Sequence, residues 1–151
     1  MTEQVWRGCV VPDDRLYDMG LHVWVLPEGD EVVIGMTDIA QTQGGRMVSV
    51  SWKKLGRSVV RGQSVAVVES AKWVGPFPTP LTGELVAVNR EAFEADIAVA
   101  NRDPYGAGWM ARVRPSAFGD ERYHLTDGAE ALAAYRTYID ENEITCLRCV
   151  D

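Results

Sequence analysis

Cysteine, histidine and long apolar runs are scarce in this 151-residue chain. Three cysteines, Cys9, Cys146 and Cys149, are too few and too unevenly spaced for a disulfide framework. Two histidines give a metal site little support, and none is expected. No stretch approaches the roughly 18 apolar residues of a membrane-spanning helix. Positive charge is in deficit as well. Fifteen Lys and Arg against 22 Asp and Glu leave a net charge of −7, which disfavours nucleic acid as a partner. The opening MTEQVWRGCVVPDD is too mixed for a secretory leader, so a cytoplasmic protein is the expectation. No Ser-His-Asp or Cys-His arrangement is visible, nor a phosphate-binding loop, and no catalytic residue is assigned.

What is present centres on one lysine. Between Arg61 and Arg90 the sole basic residue is Lys72, within residues 56–83 (GRSVVRGQSVAVVESAKWVGPFPTPLTG). The SVAVVES run at 64–70 is apolar and β-branched on both alternating faces, which suits a buried strand. Residues 83–89 read as a second strand. Pro76, Pro78 and Pro80 stand between the two. Prolines at alternate positions hold a chain extended and cannot donate to a central ladder. The expected picture is two strands joined at one edge by a stiff connection, with Lys72 near the bend. A solvated surface lysine is the plain alternative. Against it stand Gly56, Gly62 and Gly83, since turns in a compact barrel need residues free of the Cβ restriction.

Residues 22–26 (HVWVL) and 31–36 (EVVIGM) predict a hairpin about the turn Pro27-Glu28-Gly29-Asp30. Thr37-Asp38 can cap a short helix that Gly44-Gly45 ends. Residues 46–52 alternate as a strand, with Val48, Val50 and Trp52 on one face and Met47 out of step. A helical stretch from residue 90, a loop over 101–108 and a last strand over 109–113 follow. Residues 116–128 read as loop. Thr126-Asp127 can then cap a helix reaching residue 143, with Leu132, Tyr135 and Ile139 on one face. Short, closely spaced strands predict a small barrel or sandwich. The expectation is one domain over 1–151: an irregular surface segment (1–20), a core (20–115) and a helical C-terminal extension (116–151).

The Glu69-Ser70-Ala71-Lys72 run after a strand resembles the lipoyl/biotinyl carrier pattern, in which a cofactor acylates a hairpin lysine. Beyond that motif, residues 20–115 resemble the H protein of the glycine cleavage system. His22 and Trp24 match an H-x-W strand. Gly35-Met36-Thr37-Asp38 with Ala40-Gln41 matches G-x-T-D-x-A-Q. Gly56, Gly62, Glu69, Ser70 and Lys72 match the approach to the lipoylated lysine, and Pro80, Gly83, Glu84 and Asn89 the strand after it. Asn101, Asp103-Pro104-Tyr105-Gly106, Gly108 and Trp109 match N-x-D-P-Y-G-x-G-W. The resemblance implies a mainly β, barrel-sandwich hybrid fold with short helices and a C-terminal helix. It implies lipoate amide-linked to Lys72, with Glu69 and Ser70 as context that the lipoate-attaching enzyme recognises. The other matched residues carry plainer readings: Trp24 and Trp109 as packing, His22 as structural, Gly106 and Gly108 as backbone devices.

Departures from the H-protein pattern include Arg46, Lys53 and Lys54 where acidic character is usual, and Trp73-Val74-Gly75-Pro76 after the lysine. The A-K-W-x-G-P run and the leader VPDDRLYD look like the lipoate-binding proteins of the sulfur-oxidising heterodisulfide-reductase-like pathway. That likeness implies a non-catalytic carrier of sulfur intermediates, with a heterodisulfide-reductase-like complex and sulfur transferases as partners. The alternative is the glycine cleavage H protein itself, carrying an aminomethyl group among the glycine cleavage enzymes, with dihydrolipoamide dehydrogenase as a further partner. A biotin carrier is less favoured, because Ala71 and Trp73 flank the lysine where methionines are usual. A thiol oxidoreductase would use Cys146 and Cys149 as a C-x-x-C redox pair, although the strand–helix setting of that motif is missing.

Overall fold

A computed structural model describes residues 5–147. The chain opens with β1 (Val5–Trp6) and β2 (Cys9–Val10), a small antiparallel pair, then β3 (Leu16–Asp18). β4 (Val23–Glu28) and β5 (Glu31–Met36) form the expected hairpin, with Gly29 at positive φ in its turn. Helix α1 (Asp38–Gly44) follows at once. Its N-cap is Thr37, whose Oγ1 accepts from Ala40 N at 3.1 Å, the bond a capping hydroxyl supplies to an otherwise unpaired helix N–H. β6 (Met47–Trp52), β7 (Ser58–Val59), β8 (Ser64–Ser70), β9 (Val74–Pro78) and β10 (Gly83–Val88) come next. Then come α2 (Arg90–Ala95), α3 (Val99–Arg102), β11 (Ala111–Pro115), α4 (Phe118–Glu121), a short 3₁₀ turn (Arg122–His124), β12 (Thr126–Asp127) and α5 (Gly128–Glu141).

Among the described residues the strands form a two-stranded pair and two larger sheets. One larger sheet has the order β12-β3-β4-β5-β11-β10-β7, the other β6-β8-β9. Val23, Val25, Ile34, Leu85 and Val113 of the first meet Val65, Val68 and Phe77 of the second in one buried cluster. Alternation sends Trp24 and Val33 to the opposite face, into a second cluster with Tyr17, Tyr135 and Ile139. The VWVL run is apolar throughout because β4 is covered on both faces. The covering layer is α5, which turns Leu132, Tyr135 and Ile139 inward at helical spacing. Each such side chain contributes roughly 1.5–3 kcal/mol of transfer free energy. Gly35 lets this layer close: a Cβ there would stand 2.5 Å from the Trp24 ring.

Several expectations need correction, among them residues 116–128, expected as loop, which carry α4, the 3₁₀ turn and β12, and the loop expected from residue 101, which begins inside α3. Residues 5–18 are not simply an irregular surface segment: they hold β1, β2 and β3, and Cys9, Val11 and Tyr17 are fully buried under α5 and α1. The proline stretch is not a connection but a strand, β9, which pairs directly with β8 (Val67 opposite Pro76, Glu69 opposite Val74). Thr79 N donates to Gln63 O at 2.8 Å, so the N–H groups of alternate residues face β8. Pro76 and Pro78 fall on the other parity, where the strand is an open edge and no donor is needed. Finally, β6 carries a bulge between Met47 and Ser49. It resolves the out-of-step methionine: Met47 is buried, Val50 and Trp52 pack inward, and Val48 is turned out to 54% exposure. Asp127 stands at the N-cap of α5 as expected, but its carboxylate accepts from Arg122 Nη2 at 2.7 Å and makes no cap bond.

Candidate functional site

Because β9 pairs with β8, Lys72 is not near a long bend but inside a tight hairpin turn. Ser70 N donates to Trp73 O at 2.8 Å, leaving Ala71 and Lys72 as the two central residues. The turn is tied down from below. Ala71 N donates to Arg46 O at 2.9 Å, and Ser70 Oγ donates to Gly44 O at 2.6 Å. Ala71, Lys72, Trp73 and Val74 are exposed. A flexible amine therefore projects from a backbone fixed by hydrogen bonds to the end of α1 and the start of β6.

The residues under the lysine come from motifs distant in sequence. Gly45, at φ +80°, ends α1, and the methylenes of Lys72 lie over it, about 3.5 Å from where a Cβ would stand. Few side chains tolerate that backbone conformation, so glycine suits the position. Asn101, 1% exposed, binds this floor together. Its Oδ1 accepts from Met47 N at 2.8 Å, and its Nδ2 donates to Gly45 O at 3.0 Å and Gln41 Oε1 at 3.2 Å. Gln41 Nε2 in turn donates to Asp38 Oδ1 at 2.7 Å, while Asp38 Oδ2 accepts from Val10 N at 2.9 Å. Tyr105 Oη accepts from Asp38 N and donates to Val10 O. Pro104 O accepts the Trp24 indole N–H at 2.9 Å. The G-x-T-D-x-A-Q and N-x-D-P-Y-G motifs thus form one buried scaffold. The sequence shows their residues but not that they converge beneath Lys72.

Two clefts flank the lysine. The larger, about 540 Å³, is lined by Leu21, Met36, Val68, Trp73 and Phe77 among others, with His22 at its wall. The smaller, about 400 Å³, lies on the α1 side among Thr42, Arg46, Asn101, Thr145 and Leu147. His22 is structural in bonding: Nδ1 lies 3.1 Å from Tyr135 Oη, and its ring rests against Tyr135 and Tyr138. Burial holds its pKa below the ordinary histidine value. Of the proposed recognition residues, Glu69 is exposed and accepts from Ser49 Oγ at 3.2 Å, whereas Ser70 is 8% exposed and turned into the hairpin. A partner would meet Glu69 and the Lys72 amine, with Ser70 holding the turn.

The C-x-x-C reading does not survive. Cys146 is disulfide-bonded to Cys9, 137 residues away, and both sulfurs are buried in the cluster under α5. Cys146 is thus committed to another partner, and Cys149 lies outside the described residues. Among the described residues no group of His, Cys, Asp and Glu could hold a metal ion, and no helix is long and apolar enough to cross a membrane.

The family model described as "Glycine cleavage H-protein" matches residues 16–138, a span that runs from β3 into α5 and contains Lys72, Asp38, Gln41, Gly45, Asn101 and Tyr105. The chain belongs to that family. It is 39% identical over 144 residues to "Glycine cleavage system H protein 5" of Aquifex aeolicus, covering 93% of this chain and 97% of the relative. It is 37% identical over 149 residues to "Glycine cleavage system H protein 2" of the same organism, covering 97% and 92%. The crystal structure of a glycine cleavage system H protein from Mycobacterium marinum matches with a TM-score of 0.68 at 33% identity, covering 89% of this chain and all of that one. The mainly β carrier fold with short helices and a C-terminal helix is therefore that of the H proteins.

Proposed function

We propose that this chain is a lipoyl carrier, not a catalyst, with lipoate amide-linked to Lys72 Nζ, and that it serves a glycine cleavage system in the cytoplasm. One observation carries this: the only lysine on the β8–β9 hairpin stands on a two-residue turn fixed by Arg46 O, Gly44 O and its own strands, between two clefts. A fixed base lets several enzymes meet the same amine at the same place, and a four-carbon stem with free rotation supplies the reach. When bound, lipoate supplies a pair of sulfurs for thiol–disulfide exchange and cargo attachment.

The residues present fit that group. An unmodified ammonium disfavours apolar surroundings, but acylation removes its charge. The cleft wall of Leu21, Met36, Val68 and Phe77 is then a suitable apolar surface for the hydrocarbon of the arm. Partners are accordingly the lipoate-attaching enzyme, the glycine cleavage enzymes and dihydrolipoamide dehydrogenase. The names of the relatives favour this over the sulfur-oxidation reading.

A second reading, a carrier of sulfur intermediates, is supported by two observations. The exposed Trp73-Val74 pair beside Lys72 replaces the small and acidic residues usual there. Aquifex aeolicus has differently numbered H proteins to which this chain is about equally similar, which suits carriers divided among several tasks. The test is the intact mass of the protein made with a lipoate ligase, beside Lys72→Arg, followed by glycine–bicarbonate exchange with glycine cleavage partner enzymes. A gain of one lipoyl amide, absent in the variant, with exchange turnover is the expected result. No mass gain in a folded sample overturns the carrier reading. A full mass gain without turnover, with binding to a heterodisulfide-reductase-like complex, replaces glycine cleavage by sulfur transfer.

A further inference from the structure

After α5 the chain reverses at Glu143, which adopts φ +51°, and residues 144–147 run back as a strap. Ile144 is buried, with its N–H on Ile139 O. Cys146 N donates to Arg7 O at 3.1 Å, and Cys146 is bonded to Cys9. The next residue reaches α1: Leu147 O accepts from Gln41 Nε2 at 2.7 Å, and Leu147 N donates to Thr42 Oγ1 at 3.2 Å. Thr145 and Leu147 then form one wall of the smaller cleft, whose other walls include Gly45, Arg46 and Lys72. Two elements thus meet at Gln41. Its amide nitrogen serves the strap, and its amide oxygen serves Asn101 in the floor under the lysine. The disulfide fixes the strap to β2, and β2 is itself held to α1 through Asp38.

We infer that the Cys9–Cys146 disulfide is a redox latch: a dithiol that opens it frees the strap, removes one wall of the smaller cleft and loosens the α1 side of the lysine floor. The chemistry is ordinary thiol–disulfide exchange. A thiolate of the dithiol attacks Cys146 Sγ, the Sγ–Sγ bond breaks, and Cys9 leaves as a thiolate that takes up a proton. The second thiolate of the reagent attacks the mixed disulfide and releases Cys146, which takes up the second proton. Two S–H bonds and one S–S bond are lost, and the same number form; the reagent is oxidised and the protein reduced. Cys146 is the sulfur to attack, being 6% exposed and next to Leu147 at 72%, whereas Cys9 is fully enclosed. The latch concerns the same lysine as the carrier reading and draws its biological sense from it. Dithiols are the class of reagent that lipoate becomes when reduced, so reducing conditions would act on arm and latch together.

The experiment needs no lipoate, so its failure and that of the carrier reading are distinguishable. The purified chain and a Cys149→Ser variant are mapped by non-reducing peptide mass spectrometry. Hydrogen–deuterium exchange is then followed with and without dithiothreitol, and in Cys9→Ser without it. The expected map shows a Cys9–Cys146 link in both proteins. Reduction should speed exchange in peptides covering 38–46 and 142–147 by at least about tenfold, leaving the β4, β5 and β8 peptides unchanged, and Cys9→Ser should show the same pattern unreduced. A map with Cys9 as a free thiol overturns the proposal. So does unchanged exchange on reduction, or a rise shared by the core strands, which would make the bond a general staple and not a latch.

Discussion

Replacing Asn101 by alanine tests whether the lysine floor is a scaffold or an incidental set of contacts. The side chain makes three hydrogen bonds, to Met47 N, Gly45 O and Gln41 Oε1. They do not weigh equally. Gly45 and Asn101 both border the smaller cleft, so water can replace the bond to Gly45 O. Gln41 lines the same cleft, so its Oε1 can be met by water too, whereas Met47, 3% exposed and away from that cleft, has no such substitute for its N–H. Leaving a buried donor or acceptor unpaired costs about 1–3 kcal/mol. With that one donor left unpaired, Asn101→Ala should cost about 1–3 kcal/mol in urea unfolding. Asn101→Asp sharpens the test. One carboxylate oxygen can still accept from Met47 N, but the other would face two oxygen acceptors. Protonation lets it donate to one of them, so its folded pKa should rise above the unfolded value. A raised folded pKa means that stability is fullest below the unfolded pKa, near 4, and is lost as pH rises through the folded value. Asn101→Asp should therefore approach wild type at acid pH and fall away toward neutrality. A loss below about 1 kcal/mol for alanine, or a flat pH difference for aspartate, refutes the scaffold.

Two further outcomes follow from the same packing. Gly35→Ala places a Cβ 2.5 Å from the fully buried Trp24 ring, which is held by Pro104 O and cannot swing aside, so a loss of at least about 2–3 kcal/mol is expected, read by urea midpoint and by a shift in Trp fluorescence. His22 is held neutral by burial, with a folded pKa below the unfolded one. A group of that sign costs stability as pH falls through the unfolded pKa near 6.5. Stability should drop between pH 7.5 and 5.5, and His22→Asn, whose side chain tolerates the φ of +56° there, should flatten that drop; an unchanged slope contradicts the assignment.

The sequence exposes the lysine and conceals its surroundings, for physical reasons that differ by element. Lys72 is legible because one amine stands alone between strand and proline signals, and that isolation is a local property. The β4–β5 hairpin, α1 with its Thr37 cap and the buried face of α5 are legible because period and capping are local too. β9 is not, because proline forbids a ladder on only one side of a strand, and the sequence does not say which side is an edge. Cys9 and Cys146 are concealed because 137 residues separate them, and only the fold brings β2 beneath the strap. The same holds for Asn101, which reads as a loop residue yet pins β6 and α1. What unites the concealed parts is that each is a tie between elements far apart in the chain. The H-protein motifs therefore say more about the seat of the lysine than about the lysine. An amine on a hairpin occurs in many folds, but here Gly45, Asn101, Gln41 and Asp38 are hydrogen-bonded into one floor beneath the turn that carries it. On that view a carrier that keeps Lys72 but loses Asn101 should still accept lipoate and yet present it poorly. The signature would be full mass gain with a raised KM toward partner enzymes, whereas Lys72→Arg loses the mass gain outright.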